Sequence, residues 1–89
     1  MRFHARVDVS HLAGVLDPQG ATVERALPAL GYHNVSDVTI GKTIRLVVDA
    51  PSPDAARAQV DEMCRRLLAN PVIEQYTISV EELVELTET

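Results

Sequence analysis

From Phe3 onward, apolar side chains fall at every second position. Phe3, Ala5, Val7 and Val9 alternate with His4, Arg6, Asp8 and Ser10. A period of two sets one row against a core and the other in water, which predicts a strand. His11 to Leu16 carries Gly14 and leads into Asp17-Pro18-Gln19-Gly20. Asp17 suits the cap of a helix and Pro18 its first turn. Val23, Ala26, Leu27 and Leu30 then recur at helical spacing as one apolar stripe. Pro28 removes a backbone donor and crowds the preceding turn, so the helix is expected to kink or end near Ala29-Leu30, with Gly31 as its stop.

Val35, Val38 and Ile40, then Gly41-Lys42, then Ile44, Leu46 and Val48 predict two strands joined as a hairpin. Pro51-Ser52-Pro53 breaks the second strand, and Ser52 caps a second helix. The stripe of that helix is Ala56, Val60, Met63, Cys64, Leu67 and Leu68, and Asn70-Pro71 ends it. On this reading Leu67 faces the core, and Leu67→Asp should unfold the chain by burying an unpaired charge. Tyr76, Ile78 and Val80 mark a last strand.

The order β-α-β-β-α-β predicts a ferredoxin-like α+β plait: a four-stranded antiparallel sheet with two helices on one face. Residues 1–81 form one domain, and 82–89 an acidic tail expected to be disordered. The face of the sheet without helices carries His4, Arg6, Asp8, Thr39, Thr43, Arg45, Val47, Asp49, Thr77 and Ser79, and is either wet or docked on a partner.

Thirteen acidic residues against eight basic ones give a net charge of −5, which disfavours a nucleic-acid backbone as partner. The only aromatics are Phe3, Tyr32 and Tyr76, so the hairpin strands lack the stacking rings of an RNA-binding plait. Cys64 is the only cysteine, which excludes an internal disulfide and suits a reducing cytoplasm. No run approaches the roughly 20 apolar residues of a membrane span, and the alternating start does not read as a signal peptide.

Little of the sequence assembles into chemistry. His4, His11 and His33 lack metal-ligand spacing and read as ordinary surface histidines. Cys64 lies in the second helix stripe and reads as a small core residue rather than a nucleophile. Gly41-Lys42-Thr43 lacks the upstream glycine of a phosphate-binding loop, and a strand follows it. The adjacent acids Asp61-Glu62 and Glu81-Glu82 diverge from one another in a helix or a strand. The chain carries no catalytic constellation of its own.

Several segments are more particular than folding requires. Val15-Leu16-Asp17-Pro18-Gln19-Gly20, Leu30-Gly31-Tyr32, Val38-Thr39-Ile40-Gly41-Lys42 and the run from Met63 through Asn70-Pro71 to Tyr76 stand in this order at this length. Together they closely resemble PurS, the small subunit of bacterial and archaeal phosphoribosylformylglycinamidine synthase, from about Phe3 to Val80. The resemblance implies a non-catalytic subunit of a glutamine-dependent, ATP-consuming ligase of purine biosynthesis. In that family the glutaminase PurQ releases ammonia, and the synthetase PurL uses ATP and Mg to activate formylglycinamide ribonucleotide. PurS is needed for the two to work together and pairs with itself through its sheet as a dimer or tetramer. No cofactor or metal is implied on this chain. The implied partner-contact positions are Leu16, Asp17, Pro18, Gln19, Gly20, Gly41, Lys42, Asn70, Pro71 and Tyr76. Folding alone accounts for Asp17-Pro18 as a cap, Gly41 as a turn and Asn70-Pro71 as a stop, which leaves Gln19 and Lys42 as the sharpest candidates. Thr39 departs from the basic residue that many relatives carry there.

A rival of another class is an ACT-like dimeric module that senses amino acids, since one fold hosts many functions. Such a module wants a glycine-rich turn after the first strand. Gly14 is weakly placed for that role, whereas Asp17-Pro18-Gln19-Gly20 favours PurS.

Overall fold

The computed structural model describes residues 1–83. The elements run β1 (Arg2–His11), α1 (Pro18–Ala26), a 3-10 turn (Leu27–Leu30), β2 (Lys42–Asp49), α2 (Pro53–Met63), a π-helical turn (Cys64–Leu68) and β3 (Glu74–Glu82). The three strands form one antiparallel sheet in the order β2-β1-β3. β1 is central, with Val7 opposite Ile44 on one side and Ile78 on the other. Of the acidic tail expected from Glu82, Glu82 itself closes β3 and the Leu83 amide donates to the Arg2 carbonyl at 2.9 Å. Residues 84–89 lie outside the described residues.

The period-two pattern of β1 holds to the letter. Phe3, Ala5, Val7 and Val9 are buried, and they pack with Val48, Ala50, Ala56, Val60, Cys64 and Ala69 into the core. Fully burying a side chain such as Phe3, Val7 or Val60 contributes about 1.5–3 kcal/mol each. α2 rests on β3 and β1 and supplies Ala56, Val60 and Cys64. It starts as the sequence predicts: Ser52 accepts from the Ala55 amide at 3.1 Å, and Pro53 takes the first turn. Arg57 donates to the Ile78 carbonyl at 2.8 Å and ties α2 to β3. Cys64 is buried, and desolvation, with Asp61 adding to it, pushes its thiol pKa up. That setting matches core packing rather than nucleophilic reactivity.

Three expectations are corrected. The sheet has three strands, not four, because the segment carrying Val35, Val38 and Ile40 does not pair. Two of its backbone donors are taken instead by side chains of α1 and its cap: the Val38 amide donates to Glu24 Oε1 at 3.0 Å and the Ile40 amide to Asp17 Oδ2 at 2.7 Å. Asp37 sits at φ 58, in the left-handed region that interrupts an extended chain. Without that strand there is no hairpin at Gly41-Lys42. Gly41 instead abuts β1 so closely that a Cβ there would run into the Val9 carbonyl.

Second, the helices do not share a face of the sheet. Among the elements α1 packs chiefly against the 3-10 turn that follows it, and no residue from Leu12 to Gly41 joins the core. The helix does break at Pro28 as expected, passing into the 3-10 turn that Gly31 ends at φ 96. The result is an elongated chain of 51 × 37 × 15 Å, with a radius of gyration of 17.5 Å. A compact domain of this length would have about 12 Å.

Third, Leu67 is 83% exposed. The wider π-helical turn at Cys64–Leu68 rotates it off the stripe. Leu68 and Ala69 take the inward places, and Leu67→Asp no longer buries a charge.

Candidate functional site

The end of the sheet where β1 finishes and β2 and β3 begin gathers most of the particular residues. β1 delivers Ser10 and His11, and β2 opens with Lys42. β3 opens with Glu74, and α1 presents Gln19 in its first turn. A cavity of about 110 Å³ lies between them, lined by Val9, Ser10, His11, Gln19, Ile40, Gly41, Lys42 and Glu74.

Asp17 builds this corner. One carboxylate oxygen caps α1 by accepting from the Gly20 amide at 3.0 Å, and the other accepts from the Ile40 amide at 2.7 Å. The two bonds clasp the start of α1 to the segment that enters β2. The Gly20 amide first, then that of Ile40, hold the Asp17 carboxyl below its ordinary pKa, with a weaker contribution from His11. Gly20 is buried against this segment, and a Cβ there would strike the Val38 carbonyl. Within Leu16-Asp17-Pro18-Gln19-Gly20, then, Asp17, Pro18 and Gly20 all serve the fold. Leu16 is 75% exposed and Gln19 stands exposed on the cavity rim.

Across the cavity, Lys42 is exposed and makes no ion pair among the described residues. Asn70 shapes the turn into β3. Its side-chain oxygen accepts from the Val72 amide at 3.1 Å, and its own amide donates to Glu74 Oε1 at 2.7 Å. The Leu12 amide donates to the Ile73 carbonyl at 2.9 Å, drawing the turn against the end of β1. Gln19, Gly41 and Lys42 therefore meet at one rim, with the Asn70-Pro71 turn beside them through Glu74.

Tyr76 lies apart from this rim, on the inner face beneath α2. Its hydroxyl donates to Asp61 Oδ1 at 2.7 Å, while Arg65 Nε donates to Asp61 Oδ2 at 2.9 Å. The hydrogen bond from Tyr76 lowers the Asp61 pKa, and the same bond raises that of Tyr76.

His11 was not among the sequence candidates. It is half-buried, not a surface histidine, and its Nδ1 is buried without a hydrogen-bond partner among the described residues. Glu74 and Ser10 also line the cavity unforeseen. The period-two pattern ends at Ser10 and gives His11 to the loop that follows, whereas β1 runs through His11, and nothing local says that α1 and β2 begin beside them. His4 and His33 are exposed, and no group of three metal-binding side chains occurs among the described residues. The corner holds hydrogen-bond donors and acceptors around a small void.

The open face of the sheet sets Arg6 directly opposite Arg45. Arg6 reaches Asp8 at 3.3 Å, and Arg45 has no ion-pair partner among the described residues.

The family profile described as "PurS: Phosphoribosylformylglycinamidine (FGAM) synthase" matches residues 4–82. The chain is 41% identical over 81 residues to the PurS subunit of phosphoribosylformylglycinamidine synthase from Methanocaldococcus jannaschii, covering 91% of this chain and 98% of the relative. It is 45% identical over 82 residues to the PurS subunit of Bacillus subtilis, covering 92% and 96%. Among solved structures it is similar to a chain of PurLQS from Thermotoga maritima, with a TM-score of 0.81 at 35% identity over 90% of this chain and 98% of that one.

Proposed function

The chain belongs to the PurS family, as a subunit of phosphoribosylformylglycinamidine synthase in purine biosynthesis, and from that premise we propose that it holds the glutaminase PurQ and the ATP-dependent synthetase PurL in fixed register. Ammonia released in one active site must reach an activated amide in another before water or protonation removes it. A docked subunit keeps the two sites together in a way that free encounter in solution does not. The chain contributes contact surface only; ATP and Mg act on the synthetase, and no cofactor binds here. It works in the cytoplasm, where the free thiol of Cys64 stays reduced, and pairs with a second copy of itself.

One observation carries this reading. The exposed side chains of Gln19 and Lys42 make no hydrogen bond or ion pair among the described residues, yet they come from separate elements to the rim of one cavity. Leu16 lies in the same motif with its side chain in solvent. Asp17, Pro18, Gly20, Gly41, Asn70 and Pro71 shape the surface on which the contacts sit, and Tyr76 braces α2 behind it.

The direct test is conversion of formylglycinamide ribonucleotide by the cognate synthetase and glutaminase, with and without this chain. Glutamine-driven turnover should appear only when the chain is added; full turnover without it overturns the reading. Lys42→Glu should keep the melting curve of the wild type and raise the subunit concentration needed for half-maximal activity several-fold. Unchanged activity at limiting subunit would remove Lys42 from the contact surface.

A further inference from the structure

Lys42 is the only lysine in the chain, and strand register sets it beside two other titratable groups. It pairs with Val9 of β1, while Glu74 of β3 pairs with His11, two residues further along the same strand. Residues that pair across antiparallel strands, or stand two apart on one strand, share a face. Lys42, His11 and Glu74 therefore lie on the face where Val9 is buried. The Asp17 clasp and the bond from the Val38 amide to Glu24 fix α1 and residues 35–40 as one arm, and this arm brings Gln19 to the same cavity.

The acceptors of this corner are largely used within the chain. Glu74 gives one carboxylate oxygen to the Asn70 amide, and Asp17 gives its two to the amides of Gly20 and Ile40. The donors are not used. The Lys42 ammonium carries three N–H groups and the Gln19 carboxamide two, and neither side chain is bonded among the described residues. His11 adds another. Its Nδ1 is buried with no acceptor among the described residues, so a proton there would be desolvated without a bond. The proton of the neutral ring therefore belongs on Nε2, which acts as a donor. Against these donors stand the second oxygen of Glu74 and the Gln19 carbonyl. The surplus, with one unpaired positive charge, calls for an anionic acceptor from outside.

We infer that the cavity takes the carboxylate of an aspartate or glutamate side chain of a partner subunit, paired with Lys42 while His11 and Gln19 donate beside it. The inference rests on the docking role proposed above and names the group that docks. A void of about 110 Å³ has room for such a side chain. A free small acid is not retained, because one exposed ion pair is worth little unless the rest of an interface holds it. Glu74 sets the direction of entry: its charge turns an acid away from the β3 side of the cavity and toward the β2 side, where Lys42 stands.

Carbodiimide cross-linking of the complex, assembled from this chain with the cognate synthetase and glutaminase, tests the contact. The reagent condenses an amine with a touching carboxylate into an amide and carries off the displaced oxygen as a urea. Peptide mass spectrometry should find Lys42 joined to one acidic residue of the synthetase or the glutaminase. Lys42 left unjoined, or joined to an acid of a second copy of this chain, overturns the inference. The subunit concentration that gives half-maximal glutamine-driven turnover supplies the second readout. Lys42→Arg should match wild type, Lys42→Gln should raise it about threefold, and Lys42→Glu should raise it further. His11→Phe should raise it about twofold, and His11→Gln, which restores a donor, should recover most of that loss. Glu74→Gln still accepts from the Asn70 amide and should lower it. Melting curves should stay those of the wild type throughout. If turnover requires the chain and Lys42→Gln equals wild type, or Glu74→Gln weakens assembly, the docking role stands and the carboxylate contact is wrong. If turnover never requires the chain, both fail.

Discussion

The body of the molecule and its arm are made from similar sequence patterns and held by different forces. In the body, alternating residues of β1 meet the stripe of α2, and Phe3, Val7, Val60 and Cys64 lose all contact with solvent. Stability there comes from apolar burial, which is non-directional and scales with area. The arm has an equally readable stripe on α1 and buries only Gly20. It is held by side-chain oxygens of Asp17 and Glu24 that accept backbone amides. An amphipathic pattern therefore states that a helix needs a partner, without stating which surface is the partner.

The sharpest way to break the contrast is to attack the body. Phe3→Ala leaves a cavity beneath α2 and should cost about 3–5 kcal/mol in urea denaturation, enough to threaten a chain of this size. A loss below 1 kcal/mol would mean that the body is not held by its core. Asp17→Ala should act on the arm alone. Amide exchange in α1 and near Ile40 should speed up strongly, while β1 amides keep their protection. Equal loss in both regions would show the arm and body to be one cooperative unit. Acid gives a subtler version of the same experiment. The Asp17 carboxyl titrates lower in the folded chain than in the unfolded one, so its contribution is complete above the usual carboxylate range and is lost as pH falls through the folded pKa. The arm should loosen before the body on acidification; a single coincident transition by α1 and β1 exchange would contradict that. The smallest effect is expected at Leu67→Asp, which sharpens the boundary of the core. With the side chain in solvent, stability should stay within about 0.5 kcal/mol of wild type by the same denaturation.

What the sequence disclosed followed the range of the forces involved. β1, β3, both helix starts and the break at Pro28 were legible because each depends on residues within a turn or a period of two. The Val35–Ile40 segment was misread as a strand because its pattern is a strand's, while its amides answer to Glu24 and Asp17, 14 and 23 residues away. Leu67 was misplaced because one wide turn shifts every later residue around the axis, and no residue type announces it. At the candidate site, Gln19, Gly41 and Lys42 were picked by resemblance and are brought to one rim by the fold. His11 could not be picked, since its half-buried, unpartnered state depends on elements that arrive from elsewhere in the chain.

A sheet in the order β2-β1-β3 has one interior strand and two rims, so most of its hydrogen-bonding outline is open to other chains. Such outlines seed aggregates unless charge or cover blunts them. Here β3 carries Glu74, Glu81 and Glu82, and Arg57 occupies its Ile78 carbonyl from above. β2 carries Lys42, Arg45 and Asp49, with Arg45 facing the like charge of Arg6. Two β3 rims repel each other, and the net charge of −5 adds a general repulsion between copies. The acidic character that argued against nucleic acid is, on this view, what keeps so thin a sheet from growing into a larger one.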